Sequence, residues 1–176
     1  MLSAASDAIV AIAQAAVPGA SVSLGPPVKR SPKSALQVRI WLYQITESQA
    51  GRNSDDPSAG ATGARPAQPK PIASLRYLVT ASAADERAAL DAIGSIWGEV
   101  YAHPVLERRE SVAAEVPRLR LIVETLDLTE LSALWSTLEP LPLQPSIVIA
   151  AHSVVVALPQ VDQRPLPVLS GPKPVP

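Results

Sequence analysis

The sequence predicts a single α+β domain, with four to five strands in a mixed, mainly antiparallel sheet and three helices. Three observations carry that expectation. Apolar residues alternate with period two in several stretches. They recur at helical spacing in three others. The 19 prolines are segregated, so that the regular stretches are nearly free of them. Proline lacks a backbone donor and interrupts helices and central strands, so its clusters mark where elements stop. Pro57, Pro66, Pro69 and Pro71 mark one break, and Pro159, Pro165, Pro167, Pro172, Pro174 and Pro176 mark another. With 176 residues, the chain suits one ordinary domain and not two. The boundaries read as residues 1–158 for the domain, with an irregular loop over 47–71, and 159–176 for a proline-rich tail.

The elements follow in order. Leu2, Ser6, Ile9, Ile12, Ala13 and Ala16 form one face of a helix that ends before Pro18-Gly19. Ser21 to Leu24 reads as a short strand. From Leu36 to Ile45, Leu36, Val38, Ile40 and Leu42 share one face, and Gln37, Arg39, Trp41 and Tyr43 share the other. The next segment, to Lys70, lacks periodicity and is longer than an idle connection. Ile72 to Thr80 is a strand with Ala73, Leu75, Tyr77 and Val79 on one side. Ser82 is the expected N-cap of a helix through Ala102, with Leu90, Ile93, Trp97 and Val100 as its buried stripe. His103-Pro104 ends it. Arg118 to Leu126 is a strand facing inward through Leu119, Leu121 and Val123. Asp127-Leu128-Thr129-Glu130 resembles a capping box, opening a helix with Leu131, Leu134, Trp135 and Leu138. Ser146 to Leu158, rich in β-branched residues, is the last strand.

The composition excludes more chemistry than it suggests. Fifteen Lys and Arg face sixteen Asp and Glu, and neither Lys29-Arg30 nor Arg108-Arg109 extends into a basic stripe, so no nucleic-acid partner is expected. The chain has no cysteine, which removes disulfides, thiolate metal sites and cysteine nucleophiles. The two histidines are far apart in sequence: His103 is expected to cap a helix end and His152 to line a strand face. Asn53-Ser54-Asp55-Asp56 lacks the alternating acids and distal Glu of a calcium loop. Gly60-Ala61-Thr62-Gly63 has no strand before it and no helix after it, unlike a phosphate loop. The pairs Asp55-Asp56 and Asp85-Glu86 sit in a loop and in a first helical turn. No catalytic constellation forms, no cofactor is expected, and the three tryptophans are expected in the core. Met1 to Val17 is interrupted by Asp7 and Gln14 and has no basic leader, so neither an export signal nor a membrane anchor is expected.

Several stretches, taken together and in order, carry a resemblance. They are Leu42-Tyr43-Gln44-Ile45, Arg52-Asn53, Leu75-Arg76-Tyr77-Leu78-Val79-Thr80, and His103-Pro104-Val105-Leu106. Leu126-Asp127-Leu128-Thr129-Glu130-Leu131 leading to Trp135, Pro145-Ser146, and Pro167-Val168-Leu169 complete the set. The chain resembles the N-terminal domain of the cap, or tube-terminator, proteins of extracellular contractile injection systems, of the antifeeding-prophage and Photorhabdus-virulence-cassette kind. It departs from that pattern between Ile147 and Ala151, where the family tends to carry an aromatic. The resemblance implies a phage tail-terminator-like fold in a minimal cap. It implies a ring-forming structural protein, hexameric, that ends the inner tube and contacts both the tube protein and the sheath protein. Assembly would take place in the bacterial cytoplasm, as part of a particle that can act outside the cell.

Residues for subunit and partner contact are then Arg39 and Arg76 on strand faces, Arg52 and Asn53 at the loop opening, and Pro165, Leu166, Pro167, Val168 and Leu169 in the tail. Two alternatives stay open on the sequence: a terminator or connector of a true phage or secretion machine, and an adaptor presenting a proline-rich tail.

Overall fold

The computed structural model describes residues 2–29, 35–48, 71–107 and 118–155. The expected loop and tail fall almost wholly outside them, as do Arg52, Asn53 and Pro165 to Leu169. The elements run α1 (Leu2–Ala16), β1 (Ser21–Leu24), β2 (Gln37–Glu47), β3 (Ile72–Ser82), α2 (Glu86–Ala102), β4 (Val105–Glu107), β5 (Arg118–Glu124), α3 (Leu128–Ser136) and β6 (Ser146–Val155). The sheet has six strands in the order β1-β2-β3-β6-β5-β4, one or two more than the sequence predicts. The addition is β4, three residues whose alternation is too short to register. Among the described strands, β1 and β2 pair in parallel and every other neighbouring pair is antiparallel.

The period-two pattern determines which side chains meet. Val38, Ile40, Ala73, Leu75, Tyr77, Val79, Leu119, Leu121, Ile147 and Ile149 all face α1 and α2 and form the main core with Ile9, Ile93 and Ile96. Tyr77 is wholly buried there, and its hydroxyl shares a 2.9 Å hydrogen bond with Ser6 of α1. Burial raises the Tyr77 pKa above its usual value, partly offset by that hydrogen bond. A smaller core lies on the opposite face, where α3 places Trp135 against Leu78 and Val148, with Trp41, Tyr43, Leu131, Leu134 and Leu138 around them. Both helices with assigned caps begin on aspartate. Asp127 accepts from the Glu130 backbone at 2.7 Å, and the reciprocal Glu130 contact completes the capping box. Asp85, not Ser82, caps α2, because β3 continues through Ser82.

The buried stripe of α2 also differs from expectation. Ala89, Ala92, Ile93, Ile96 and Val100 face the sheet, whereas Leu90 and Trp97 are 52% and 46% exposed. Size alone suggests the larger residues as core. The close approach of helix to sheet instead selects the phase that presents two alanines, which leave room for Ile93 and Ile96. Trp97 is therefore not a core tryptophan. Truncation should separate the two phases. Ile96→Ala should cost about 2–5 kcal/mol. Leu90→Ser should change stability by no more than about 0.5 kcal/mol. Chemical denaturation of the two variants checks both.

Candidate partner-binding face

The face of the sheet that carries α3 is only partly covered. At one end, Trp41, Leu78 and Val148 lie under α3. At the other, the side chains are polar and no described element packs over them. Two irregularities build this polar end. Leu42 pairs with Tyr77 and Gln44 with Arg76, so the register slips by one residue at Tyr43. Strict alternation would put Gln44 on the Leu42 face; the bulge turns it to the Arg76 face. There the Arg76 Nη1 donates to Gln44 Oε1 at 3.0 Å. A second slip, between Ala73/Leu75 and Ala151/Val154, places an extra residue in β6. Ser153, with φ of 68°, adopts the left-handed conformation at that bulge.

Arg76 organises the cluster. Its partner across the strand pair is Ala150, whose small side chain lets the guanidinium reach over β6 to β5. Its Nε lies 2.7 Å from Glu124 Oε2 as an off-axis ion pair, with the side chains 38% and 23% exposed. His152 approaches the other carboxylate oxygen at 4.0 Å, and its Nδ1 shares a 3.0 Å hydrogen bond with Ser74 Oγ. Tyr43 borders the cluster with its hydroxyl buried and unpartnered among the described residues. Burial raises its pKa, opposed by Arg76 and reinforced by Glu124 and Glu130. The phenol therefore stays neutral well into the alkaline range.

Arg39 shares this face but not this cluster. It pairs with Thr80, four residues along β3 from Arg76, a separation of roughly 13 Å. Its Nε is buried with no hydrogen-bond partner among the described residues, and its Nη1 approaches Gly25. The two strand arginines thus stand at opposite ends of one face, with Trp41 and Trp135 between. Neither is the freely exposed arginine that a strand face usually implies. Sequence reasoning missed Gln44, Ser74, Glu124 and His152; their signal, polar residues on strands whose opposite face is apolar, is also that of an ordinary solvated surface.

The arrangement offers recognition chemistry. Among the described residues, no group of three or more His, Asp or Glu side chains stands close enough to hold a metal ion. The recess lined by Ala81, Ala89, Pro142 and Gln144 holds about 120 Å3, below the ~300 Å3 of a small-molecule pocket, and the hollow of about 470 Å3 along Leu128, Ser132 and Ser136 is a shallow surface open to solvent. No described helix is long and apolar enough to cross a membrane. His103 closes α2, its backbone N–H donating to Glu99, as its position before proline suggests.

Because the Arg76–Glu124 pair is partly solvated, its contribution should be modest. A double-mutant cycle with Arg76→Ala and Glu124→Ala should give a coupling of about 1 kcal/mol or less, falling as salt is added. A coupling above ~3 kcal/mol, insensitive to salt, would instead make the pair a buried structural element.

Comparisons with known proteins agree with this architecture. No curated protein matches the sequence. The PVC sheath/tube terminator of an extracellular contractile injection system, in its extended state, superposes with a TM-score of 0.65 and 19% identity over 98% of this chain. The tube-terminating cap of the anti-feeding prophage superposes with a TM-score of 0.56 and 13% identity over 95% of it. The chain spans 62% and 59% of the length of these two proteins. At such identities the likeness is one of fold. The Pvc16 N-terminal domain family matches residues 3–170, nearly the whole sequence. The chain belongs to the Pvc16 N-terminal domain family.

Proposed function

We propose that this protein is a structural cap: a hexameric ring on the distal end of the inner tube of a contractile, phage-tail-like particle, ending tube and sheath growth. The observation that carries the reading is the family match over residues 3–170, together with a fold shared with a sheath/tube terminator and a tube-terminating cap. The activity we propose is mechanical and needs no cofactor.

The partly covered sheet face supports this. Its apolar half stabilises the domain, and its polar half leaves Arg76, Gln44 and His152 available for a partner. A ring whose subunits meet head to tail requires two different patches on each subunit. We assign Arg39, Arg76, Arg52 and Asn53 to one such contact, and the tail segment Pro165 to Leu169 to another. The inner tube protein and the sheath protein are the proposed neighbours. Assembly in the bacterial cytoplasm, followed by action outside the cell, completes the reading.

Negative-stain microscopy and mass photometry of the purified chain test it. Closed rings are expected, with head-to-tail contacts around the ring, and the cap reading sets their number at about six. An Arg39→Glu/Arg76→Glu variant should remain folded and lose the ring. A strict monomer at high concentration that also ignores tube ends contradicts the reading.

A further inference from the structure

Beside its buried stripe, α2 carries a second apolar stripe. Leu90, Gly94, Trp97, Gly98 and Tyr101 follow at intervals of four, three, one and three, which place them on one helical face. Leu90, Trp97 and Tyr101 are 52%, 46% and 74% exposed. A Cβ added to Gly94 or Gly98 would meet nothing within 4 Å, so no described neighbour requires glycine there. Each glycine in a helix interior costs about 0.5–1 kcal/mol relative to alanine. Two of them between a leucine and two aromatics leave a shallow trough with aromatic walls. A contiguous exposed apolar stripe of this kind is a candidate binding surface.

The course of the chain supplies the occupant. β6 ends at Val155, opposite Ile72 at the start of β3. α2 begins beyond the other end of β3 and runs back, and its last turn leads into β4. There Val105 pairs with Arg120, and Arg120 with His152. The Tyr101 end of α2 and the end of β6 therefore lie at the same end of the sheet. Nine residues, 156–164, separate Val155 from Pro165. Extended, they reach about 28 Å. The gap is two strand spacings and one layer, about 20 Å.

The next five residues, Pro165-Leu166-Pro167-Val168-Leu169, are uncharged, with proline at two alternate positions. As polyproline II they measure about 15 Å, and the α2 stripe from Leu90 to Tyr101 measures about 16 Å. Proline-rich segments in this conformation dock into troughs lined by Trp and Tyr, because the ordering cost of the extended helix is already low. The other aromatics offer no equal surface, since Trp41, Tyr43 and Trp135 pack around the second core and Tyr77 is buried.

We propose that, in the free chain, Pro165 to Leu169 lies along the Leu90–Tyr101 stripe of its own α2. Exchange of that segment onto the same stripe of a neighbour would keep every contact, which is the logic of a domain swap. The inference does not rest on the cap reading, and an isolated full-length chain is enough to test it. The chain has no cysteine, so Val168→Cys creates a single attachment point for a nitroxide, which quenches tryptophan emission at near contact. With three tryptophans, the tagged chain should lose roughly a third of its emission and regain it when ascorbate reduces the nitroxide. The tagged chain carrying Trp97→Phe should show no such recovery. Equal brightness before and after reduction overturns the proposal. At a dilution below ring formation, dimming of untagged chains on mixing with tagged Trp97→Phe chains also overturns it, by showing that the segment of a free chain docks on a neighbour and not on its own helix. Absence of rings, by contrast, leaves it untouched.

Discussion

The structure depends on β3 being covered on both faces. It sits between β2 and β6, and from Tyr77 to Ser82 every residue is buried. Its odd-numbered side chains from Ala73 to Val79 belong to the main core under α1 and α2, while Leu78 belongs to the second core under α3. A strand buried on both faces needs two covering layers. The helices on the main-core side span 15 and 17 residues, whereas α3 has nine. The shorter helix leaves part of its face without a described cover, and there the chain changes from apolar to polar residues.

That change of chemistry connects fold and function. Under α3 the contacts are Trp135, Leu78 and Val148. Beyond it, Arg76 holds Gln44 and Glu124, and Glu124 faces His152. Charged groups in mutual contact at partial exposure cost little to keep and offer directional bonds to a partner, which suits specificity more than stability. The proposed assembly role would benefit from that division, with apolar burial holding the subunit and a polar face selecting the neighbour.

Much of the fold was legible because it rests on local periodicity. The boundaries of α1 and β1, the inward residues of β2, β3 and β5, and the capping box at Asp127 follow from spacing and capping chemistry. What was not legible depends on tertiary geometry. The phase of α2 turned on how closely the helix approaches the sheet, which favoured Ala89 and Ala92 over Leu90 and Trp97. Ser82 lost the cap to Asp85 because strand pairing extended β3. Of the candidate contact residues, Arg39 and Arg76 stand on one face, but the partners of Arg76 come from two other strands, and the one on β2 depends on a bulge at Tyr43. No alternation pattern encodes that bulge. Arg52, Asn53 and Pro165 to Leu169 lie outside the described residues.

Amide hydrogen exchange in the presence of purified inner tubes tests most directly whether the polar end of the sheet meets a partner. If that end meets the tube, protection increases at Gln44 to Thr46, Ser74 to Arg76 and Arg120 to Glu124, and the tubes stop growing. Unchanged exchange in those strands while tubes lengthen freely, or protection confined to α2, would contradict that contact.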